Sequence, residues 1–265
     1  MKNILLYLHF IVLIFLFTSC EKEIDLKHKN DFNRLVVEAV LVKGETSHQI
    51  RVSREVSYSK APKFTAAENL LITLEDENGK TGIFYYIDSG YYRLDNYDID
   101  FRTTYTLSLM DGDKIVEASC RTSSEIILDS IQFGTYSIEG WNHPGLIPIF
   151  KDPAGEKNYY LGRTSVNNST SYNSFFTHQQ FTDELIDGKT NFNPIMCYYE
   201  SQDTIQLTLS SVDYYRYQFI KTLVESFSSG GLFEASPSNP ISNFKDKALG
   251  YFSVEVQSEM TVIAP

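Results

Sequence analysis

The sequence predicts a mostly β protein in two regions. An immunoglobulin-like β-sandwich is expected over residues 34–122, followed by a second β-rich region over 126–265 that carries one packed amphipathic helix. Three observations support this. Tyr and Phe number 18 each, and aromatic and β-branched residues favour strands. Short strand-like runs alternate with turn residues, as in sandwich domains. One stretch near the C-terminus has helical periodicity.

The N-terminal region contains about seven short strands. The strand-like segments are 34–42, 48–56, 70–87, 90–94 and 104–120. The segment 70–87 is the clearest hairpin, because Asn78-Gly79 between its halves is the dipeptide that type I′ turns favour, where both central residues need positive φ. A second hairpin is predicted around Asp111-Gly112. So many short strands over about 90 residues are typical of an immunoglobulin-like sandwich.

The pattern changes near residues 122–126, where a domain boundary is predicted. Strand-like segments follow at 125–138, 148–166 and 203–212, and one or two strands are predicted over 248–263.

The one predicted helix spans about residues 212–228. Its apolar side chains recur every four residues, at Tyr215, Phe219, Leu223 and Phe227. Ser211 is a plausible cap, and Gly230-Gly231 is expected to end the helix. Its expected role is to cover one face of the second sheet.

The N-terminus contains an apolar run that ends at a cysteine. Residues 4–17 form a run of 14 residues, which is short for a membrane span of about 20 and typical of a secretory signal. Thr18-Ser19-Cys20 then resembles the bacterial lipobox, although Phe17 stands where Leu is usual. We therefore predict a signal peptide over 1–19 and acylation, including palmitate, at Cys20. The alternative is an ordinary signal or anchor with an incidental cysteine.

Residues 20–33 are predicted to be a charged tether between the lipid and the folded region. Glu21 and Glu23 resemble the surface-export signals of Bacteroidota lipoproteins, which favours a lipid-anchored position in the outer membrane, exposed at the cell surface. The net charge of −11 argues against nucleic acid as a partner, since nucleic-acid binding needs a basic face. Membrane attachment is therefore expected from the lipid rather than from charge.

Several segments together resemble a known family. They are SCEKEIDL, KDPAGEKNYYLGR, FTDELIDGK, DTIQLTLSSVDYYRYQFIKTLVESFSSGGLF and ALGYFSVE. They are similar to the Bacteroidota lipoprotein family catalogued as domain of unknown function 4249. The resemblance implies an outer-membrane lipoprotein, often encoded beside SusC-type TonB-dependent receptors. It implies no activity, cofactor or catalytic residue.

The sequence shows no catalytic or metal-binding motif. G-x-S-x-G, H-E-x-x-H and C-x-x-C are absent, so we predict no enzyme, no cofactor and no metal. Asp95, Asp98 and Asp100 resemble a weak calcium loop, against the simpler interpretation of a solvated turn. Cys120 and Cys197 are interpreted as buried, unpaired thiols, although a disulfide stays open in an oxidising compartment.

Three positions are surface hypotheses. Tyr91 and Tyr92 belong to a set of adjacent tyrosine pairs, and side chains that do not enter the core are available to stack on a ligand or partner. The simpler interpretation is cross-strand pairing on the sheet surface. Ser130 is a candidate for O-glycosylation because Asp129-Ser130-Ile131 resembles the Bacteroidota motif, and Thr204 is a weaker candidate.

The functional hypothesis is a non-enzymatic surface lipoprotein that serves as an accessory subunit of a TonB-dependent nutrient receptor. The alternative is a free-standing lipoprotein that binds a glycan or peptide ligand. A hydrolase is the third and weakest hypothesis. The nutrient, the membrane leaflet and the stoichiometry with a receptor stay open.

Overall fold

Fourteen strands and one helix occupy the part of the chain that the computed structural model describes, which is residues 33–56, 65–138, 140–169, 178–228, 239–245 and 247–265. The first seven strands are β1 (Leu35–Val42), β2 (Ser47–Arg54), β3 (Leu71–Asp76), β4 (Thr81–Tyr86), β5 (Tyr91–Asp95), β6 (Thr104–Asp111) and β7 (Lys114–Arg121). The others are β8 (Leu128–Ile138), β9 (Trp141–Phe150), β10 (Tyr159–Val166), β11 (His178–Thr182), β12 (Ile195–Met196), β13 (Thr204–Val212) and β14 (Ala248–Ile263), and the helix is α1 (Tyr214–Ser228). The described residues are mostly β with one helix, which confirms the predicted fold class.

The strands form one large sheet and one small sheet. Hydrogen bonds join eleven strands in the order β11-β10-β13-β14-β1-β2-β5-β4-β3-β6-β7, and β12-β9-β8 form a three-stranded sheet. Among the described strands, β1 and β14 pair in parallel, and the other pairings are antiparallel. Parallel neighbours need a crossover connection, and here nearly the whole chain lies between the two strands.

The N-terminal strands bury one face in a first apolar core. In β1, Val37, Ala39 and Leu41 are buried, while the residues between them face outward, as the two-residue period of a strand requires. Phe252 and Val254 of β14 belong to the same core. Because β7 packs against β14, the sheet turns back on itself in a sandwich-like layout.

Strand β14 is a single 16-residue strand that connects the two regions of the chain. Its first half pairs with β1 and its second half pairs with β13. Residues Phe32–Pro265 accordingly form one compact unit. A second apolar core lies beneath β10, β13 and the small sheet. The predicted division at residues 122–126 stays a prediction, with β14 contributing to the cores on both sides of it.

The two predicted hairpins are present, but the first turn differs from the prediction. Gly79 has φ +86°, whereas Asn78 does not enter the left-handed region, so the turn is not type I′. The Asp76 carboxylate instead accepts hydrogen bonds from the Asn78 and Lys80 amides, at 2.8 and 2.9 Å, and closes a longer loop. In the second hairpin, Gly112 has φ +60° in a two-residue loop.

Helix α1 begins at Tyr214, about two residues later than predicted, and a different residue caps it. Asp213, rather than Ser211, accepts a 2.7 Å hydrogen bond from the Arg216 amide and so satisfies one of the free donors at the helix start. The helix lies across β14, β10 and β11. The predicted stop at Gly230-Gly231 lies outside the described residues. No helix in the described ranges has the length and hydropathy needed to span a membrane.

The buried face of α1 is rotated relative to the predicted one. Tyr215, expected in the apolar stripe, is exposed, and Arg216 is buried in its place. Phe219 and Ile220 are buried as expected, and Leu223 is half-buried. The rotation has an electrostatic cause, because the Arg216 side chain reaches a buried glutamate on β14.

Candidate functional site

The lipid-attachment residue predicted from the sequence cannot be placed. Cys20 lies outside the described residues, as do the predicted signal peptide over 1–19 and the tether apart from Asn33. Acylation at Cys20 therefore stays a prediction.

The predicted tyrosine surface has to be corrected at one position. Tyr92 is 1% exposed, and its hydroxyl donates a 2.9 Å hydrogen bond to the Ala67 carbonyl while accepting one from the Leu70 amide. It is a core residue, because the sheet turns this face of β5 inward. Tyr91 lies on the outer face, half-buried, with the Arg51 guanidinium carbon 5.2 Å from its ring centroid. Of the pair, Tyr91 alone remains a surface candidate.

The glycosylation candidates occupy different environments. Ser130 is half-buried in β8, and Thr204 is exposed at the start of β13. Thr204 is the weaker candidate from sequence because it begins a strand expected to enter the core, but its side chain is exposed. Modification at Ser130 stays a prediction.

The two described cysteines are buried and free, which confirms the interpretation as unpaired thiols. Burial raises the pKa of the Cys120 thiol well above its ordinary value, and burial also raises the pKa of Cys197. Both are therefore poor nucleophiles at neutral pH.

The acidic turn after β5 is used for internal contacts. Asp95 accepts hydrogen bonds from the Ser47 and Tyr85 hydroxyls and pairs with Arg93 at 3.2 Å. These partners hold the pKa of Asp95 below its ordinary value. Within the described ranges, no group of three or more metal-binding side chains comes together.

A half-open depression lies between α1 and the β1–β14 pair, and we call it the apolar pocket. Its volume is about 430 Å³, within the range of about 300–1,000 Å³ common for small-molecule sites. Its apolar lining includes Val36, Phe219, Ile220, Leu223, Leu249 and Tyr251. The helix supplies one wall, and the outward faces of the two parallel strands supply the floor.

The floor of the apolar pocket depends on a glycine. Gly250 lies opposite Val37 in the parallel pair and has φ +89°, a conformation that side-chain-bearing residues rarely adopt. A Cβ atom at this position would lie 1.9 Å from the Val37 carbonyl oxygen. The close approach of the two strands at the pocket therefore requires glycine.

The polar wall of the apolar pocket includes Arg216, which belongs to a buried ion pair. Arg216 Nε lies 3.2 Å from Glu255 Oε1, with the two side chains 9% and 5% exposed. The guanidinium carbon also lies 4.0 Å from the Tyr251 ring centroid, a distance at which cation and ring attract each other. Gln257 Nε2 donates to the second carboxylate oxygen of Glu255 at 2.9 Å. Both carboxylate oxygens of Glu255 thus accept a hydrogen bond, whereas Arg216 donates to it only through Nε.

Asp213 adds a second carboxylate close to this pair. Its Oδ1 atom caps α1, while its Oδ2 atom is buried and finds no hydrogen-bond partner in the described part of the chain. Burial raises the pKa of Asp213 to about 6, with the Glu255 charge acting in the same direction and the amides of Arg216 and Tyr215 in the opposite one. A carboxylate with an unsatisfied oxygen is costly to keep charged, which is why its proton is retained to higher pH.

A second depression lies on the other side of α1, and we call it the acidic cleft. Its volume is about 570 Å³, and it is lined in part by Lys157, Tyr159, Glu184, Asp187, Tyr214 and Tyr217. The Tyr159 ring lies 5.6 Å from Tyr214 and 5.1 Å from Tyr217, between centroids. Several of its polar side chains form hydrogen bonds with the backbone of the surrounding loops. For example, Asp187 accepts a 2.7 Å hydrogen bond from the Gly155 amide.

Exposed aromatic side chains gather near the tip of the β8–β9 hairpin. Trp141 is 75% exposed at the start of β9. His143 follows two residues later on the same face of the strand, and its ring centroid lies 5.8 Å from that of Tyr198, which is also exposed. We call Trp141, His143 and Tyr198 the hairpin aromatics.

Sequence reasoning missed the ion pair, although a signal for it is present. Arg216, Phe219, Ile220 and Leu223 share helical spacing, so a charged residue stands within an otherwise apolar face. Glu255 similarly stands in a strand whose neighbouring residues are apolar. A charged residue at a core position in each of two elements indicates a buried pair, because isolated charges are rarely buried.

Comparison with known proteins gives a family and no activity. No curated protein matches the sequence significantly. The sequence profile of one family, described as a domain of unknown function (DUF4249), matches residues 21–261, which is nearly the whole chain after the predicted signal peptide. The chain therefore belongs to the DUF4249 family.

Proposed function

We propose that this protein is a non-enzymatic binding protein, held at the outer membrane and exposed at the cell surface by acyl chains on Cys20. The observation that carries the binding role is the apolar pocket, which is formed by packed elements and contains one arginine that is only partly engaged. Mostly apolar pockets with a few well-placed polar groups are the usual form of small-molecule sites.

The lipid anchor is supported by the sequence around Cys20 and by the net charge. At −11, the chain is not attracted to anionic lipid surfaces, so attachment needs buried hydrocarbon. A single acyl chain binds a membrane only marginally, whereas additional chains contribute about 0.8 kcal/mol for each buried CH₂ group. Anchoring would also raise the effective concentration of the protein for any partner in the same membrane.

Mass spectrometry of the protein isolated from its native envelope tests the anchor. We expect a mature N-terminus at Cys20 with added acyl mass and loss of membrane fractionation in Cys20→Ala. The matched control is Cys120→Ala, which removes a buried free thiol and should leave fractionation unchanged. An intact leader or an unmodified Cys20 would contradict the proposal.

Co-purification tests the binding role. Solvent extracts of the wild-type protein are compared with extracts of Leu223→Trp, which fills the apolar pocket, and of Lys221→Trp, which adds the same ring on the exposed side of α1. We expect a small molecule in the wild type and in Lys221→Trp that is missing from Leu223→Trp. The same compounds in all three extracts would count against the pocket.

A role as accessory subunit of a SusC-type TonB-dependent receptor is the second candidate function. The hairpin aromatics favour it, because exposed Trp and Tyr side chains are the residue types that dominate protein interfaces. In a pull-down from solubilised outer membrane, Trp141→Ala should lose a stoichiometric β-barrel partner that Tyr214→Ala retains. If the wild-type protein retained no β-barrel partner, the accessory role would be contradicted and the hypothesis of a free-standing binding protein would remain.

A further inference from the structure

The apolar pocket has a polar wall whose hydrogen-bonding capacity is not used up. Arg216 donates through Nε to Glu255, and the described residues provide no partner for its Nη1 and Nη2 groups. The side chain is more than nine-tenths buried and lines the pocket. The Nη groups can therefore donate to a ligand in the pocket that carries an acceptor oxygen, since a guanidinium has five N–H donors and only Nε is used by the described residues.

The rest of the lining favours an apolar body for the ligand. Phe219, Leu223 and Leu249 face the same space, and its volume of about 430 Å³ suits a small molecule rather than a protein segment. Burying hydrocarbon there contributes about 0.8 kcal/mol for each CH₂ group. The apolar body of the ligand would therefore supply most of the binding free energy, and its acceptor oxygen would fix the orientation of the ligand in the pocket.

The charges around Arg216 decide what kind of acceptor fits. Glu255 already balances the guanidinium, Asp213 adds negative charge when ionised, and Glu38 stands at the pocket lining. Arg51 lies 4.0 Å from Glu38 and offsets that carboxylate in part. An anionic head group would meet more negative than positive charge. A cationic head group would meet the like charge of Arg216 in the pocket wall, and each oxygen of Glu255 already accepts one hydrogen bond, from Arg216 or Gln257.

We propose that the apolar pocket binds a small amphipathic molecule with an apolar body and an uncharged acceptor oxygen, such as a carbonyl, directed at the Nη groups of Arg216. This inference rests on the proposed binding function and adds the class of ligand and its orientation.

The test uses three probes with one apolar body and different head groups: octanamide, octanoate and octylammonium. Each is titrated by calorimetry into the full chain in phosphatidylcholine nanodiscs, with empty nanodiscs as the blank for membrane partition. We expect octanamide to bind at least about tenfold more tightly than either charged probe. Octylammonium has no acceptor for Arg216, and a hydrogen bond to a charged group is worth about 1.5–3 kcal/mol. Octanoate can accept this bond, but its charge meets the excess of negative charge around the guanidinium.

Three variants locate the binding. Leu223→Trp should abolish octanamide binding, whereas Lys221→Trp should leave it unchanged. Arg216→Met should bring octanamide down to the affinity of the charged probes. Because this variant leaves Glu255 unpaired and can lose its fold, the ranking of the three probes on the wild type stands as an independent measure.

The outcomes separate this inference from the proposed function. Equal binding of the three probes, lost in Leu223→Trp, would overturn the assigned head group and leave a binding pocket in place. Tightest binding of octanoate would overturn the uncharged acceptor. Failure of all three probes to bind, or binding that survives in Leu223→Trp, would overturn the ligand site itself and with it the observation that carries the proposed function.

Discussion

Helix α1 separates two depressions of comparable volume, about 430 Å³ for the apolar pocket and about 570 Å³ for the acidic cleft, which differ in how their polar groups are used. In the acidic cleft, carboxylates such as Asp187 accept hydrogen bonds from loop amides and so hold the surrounding chain in place. In the apolar pocket, Arg216 is buried and keeps donors without a partner in the described part of the chain.

This difference distinguishes a candidate ligand-binding site, the apolar pocket, from a depression whose polar groups mainly stabilise the surrounding loops. A group of acidic residues attracts attention in a sequence, but its charges here are largely used in local structure. One largely buried arginine in an apolar wall is less conspicuous, yet most of its side chain is already removed from water before a ligand arrives. A depression is therefore better suited to bind a ligand when it contains hydrogen-bond donors without a partner than when it merely contains many charged side chains.

The largest expected effect comes from the glycine in the pocket floor. Gly250→Ala should destabilise the protein by about 3–5 kcal/mol, because the new methyl group would lie 1.9 Å from the Val37 carbonyl oxygen at φ +89°. Gly155→Ala in the acidic cleft is the matched control, since its φ is +77° and nothing lies within 4 Å of its added Cβ. The control should cost about 1 kcal/mol in chemical denaturation.

Equal losses in these two alanine variants would contradict the close approach of β1 and β14. Backbone conformation alone would then account for both effects, since the two glycines share a positive φ and differ in their surroundings.

The next largest expected effect is the loss of stability on breaking a buried ion pair, compared with the loss on breaking an exposed one. Arg216→Met should cost about 3 kcal/mol, because it leaves the buried Glu255 carboxylate without its counter-charge. Arg102→Met removes an ion pair with Glu156, a residue of the acidic cleft, but Arg102 is 62% exposed and the loss should stay below about 1 kcal/mol. Denaturation at two salt concentrations checks both values, and a larger loss in Arg102→Met would reverse the comparison.

Local sequence patterns were sufficient for most of the individual elements. The apolar run of β1, the alternation in β13 and the hairpin at Asp111-Gly112 all depend on side chains close in sequence. The position of β14 between β1 and β13 was not predictable in this way, because parallel pairing between residues about 210 positions apart leaves no local signature.

The site was less predictable than the fold, for a related reason. Tyr92 was expected at a surface because adjacent strand residues alternate, but alternation does not say which of Tyr91 and Tyr92 faces inward. Likewise, the apolar stripe of α1 suggested Tyr215 as a core residue. The choice of Arg216 depends on Glu255, which lies in a distant segment of the chain.

A smaller effect concerns Asp213 and has a defined pH dependence. Burial raises its pKa from 3.8 to about 6 in the folded protein, so the folded state holds a proton that the unfolded state releases first. Stability from this group is therefore present below about pH 4 and is lost as the pH rises through about 6. Asp213→Asn keeps a capping side chain and should stabilise the protein by about 1–2 kcal/mol at pH 7.5 and by much less at pH 4.

An aspartate with the opposite shift provides the control for Asp213. Hydrogen bonds from the Glu200 amide and the Asn167 side chain lower the pKa of Asp203, so Asp203→Asn should destabilise the protein at neutral pH. Unfolding midpoints across pH measure both variants. A stabilising effect of Asp213→Asn that is the same at pH 4 and pH 7.5 would exclude titration of this carboxylate as its cause.

The smallest effect tests whether the acidic cleft takes part in binding. Tyr214→Ala removes an exposed ring at its edge and should change stability by less than about 1 kcal/mol, with octanamide affinity unchanged. Leu223→Ala on the opposite side of the helix should weaken octanamide binding several-fold, because it removes apolar surface from the pocket wall. If Tyr214→Ala weakened binding as much as Leu223→Ala, the ligand would extend around the start of α1, and the two depressions would act as one site.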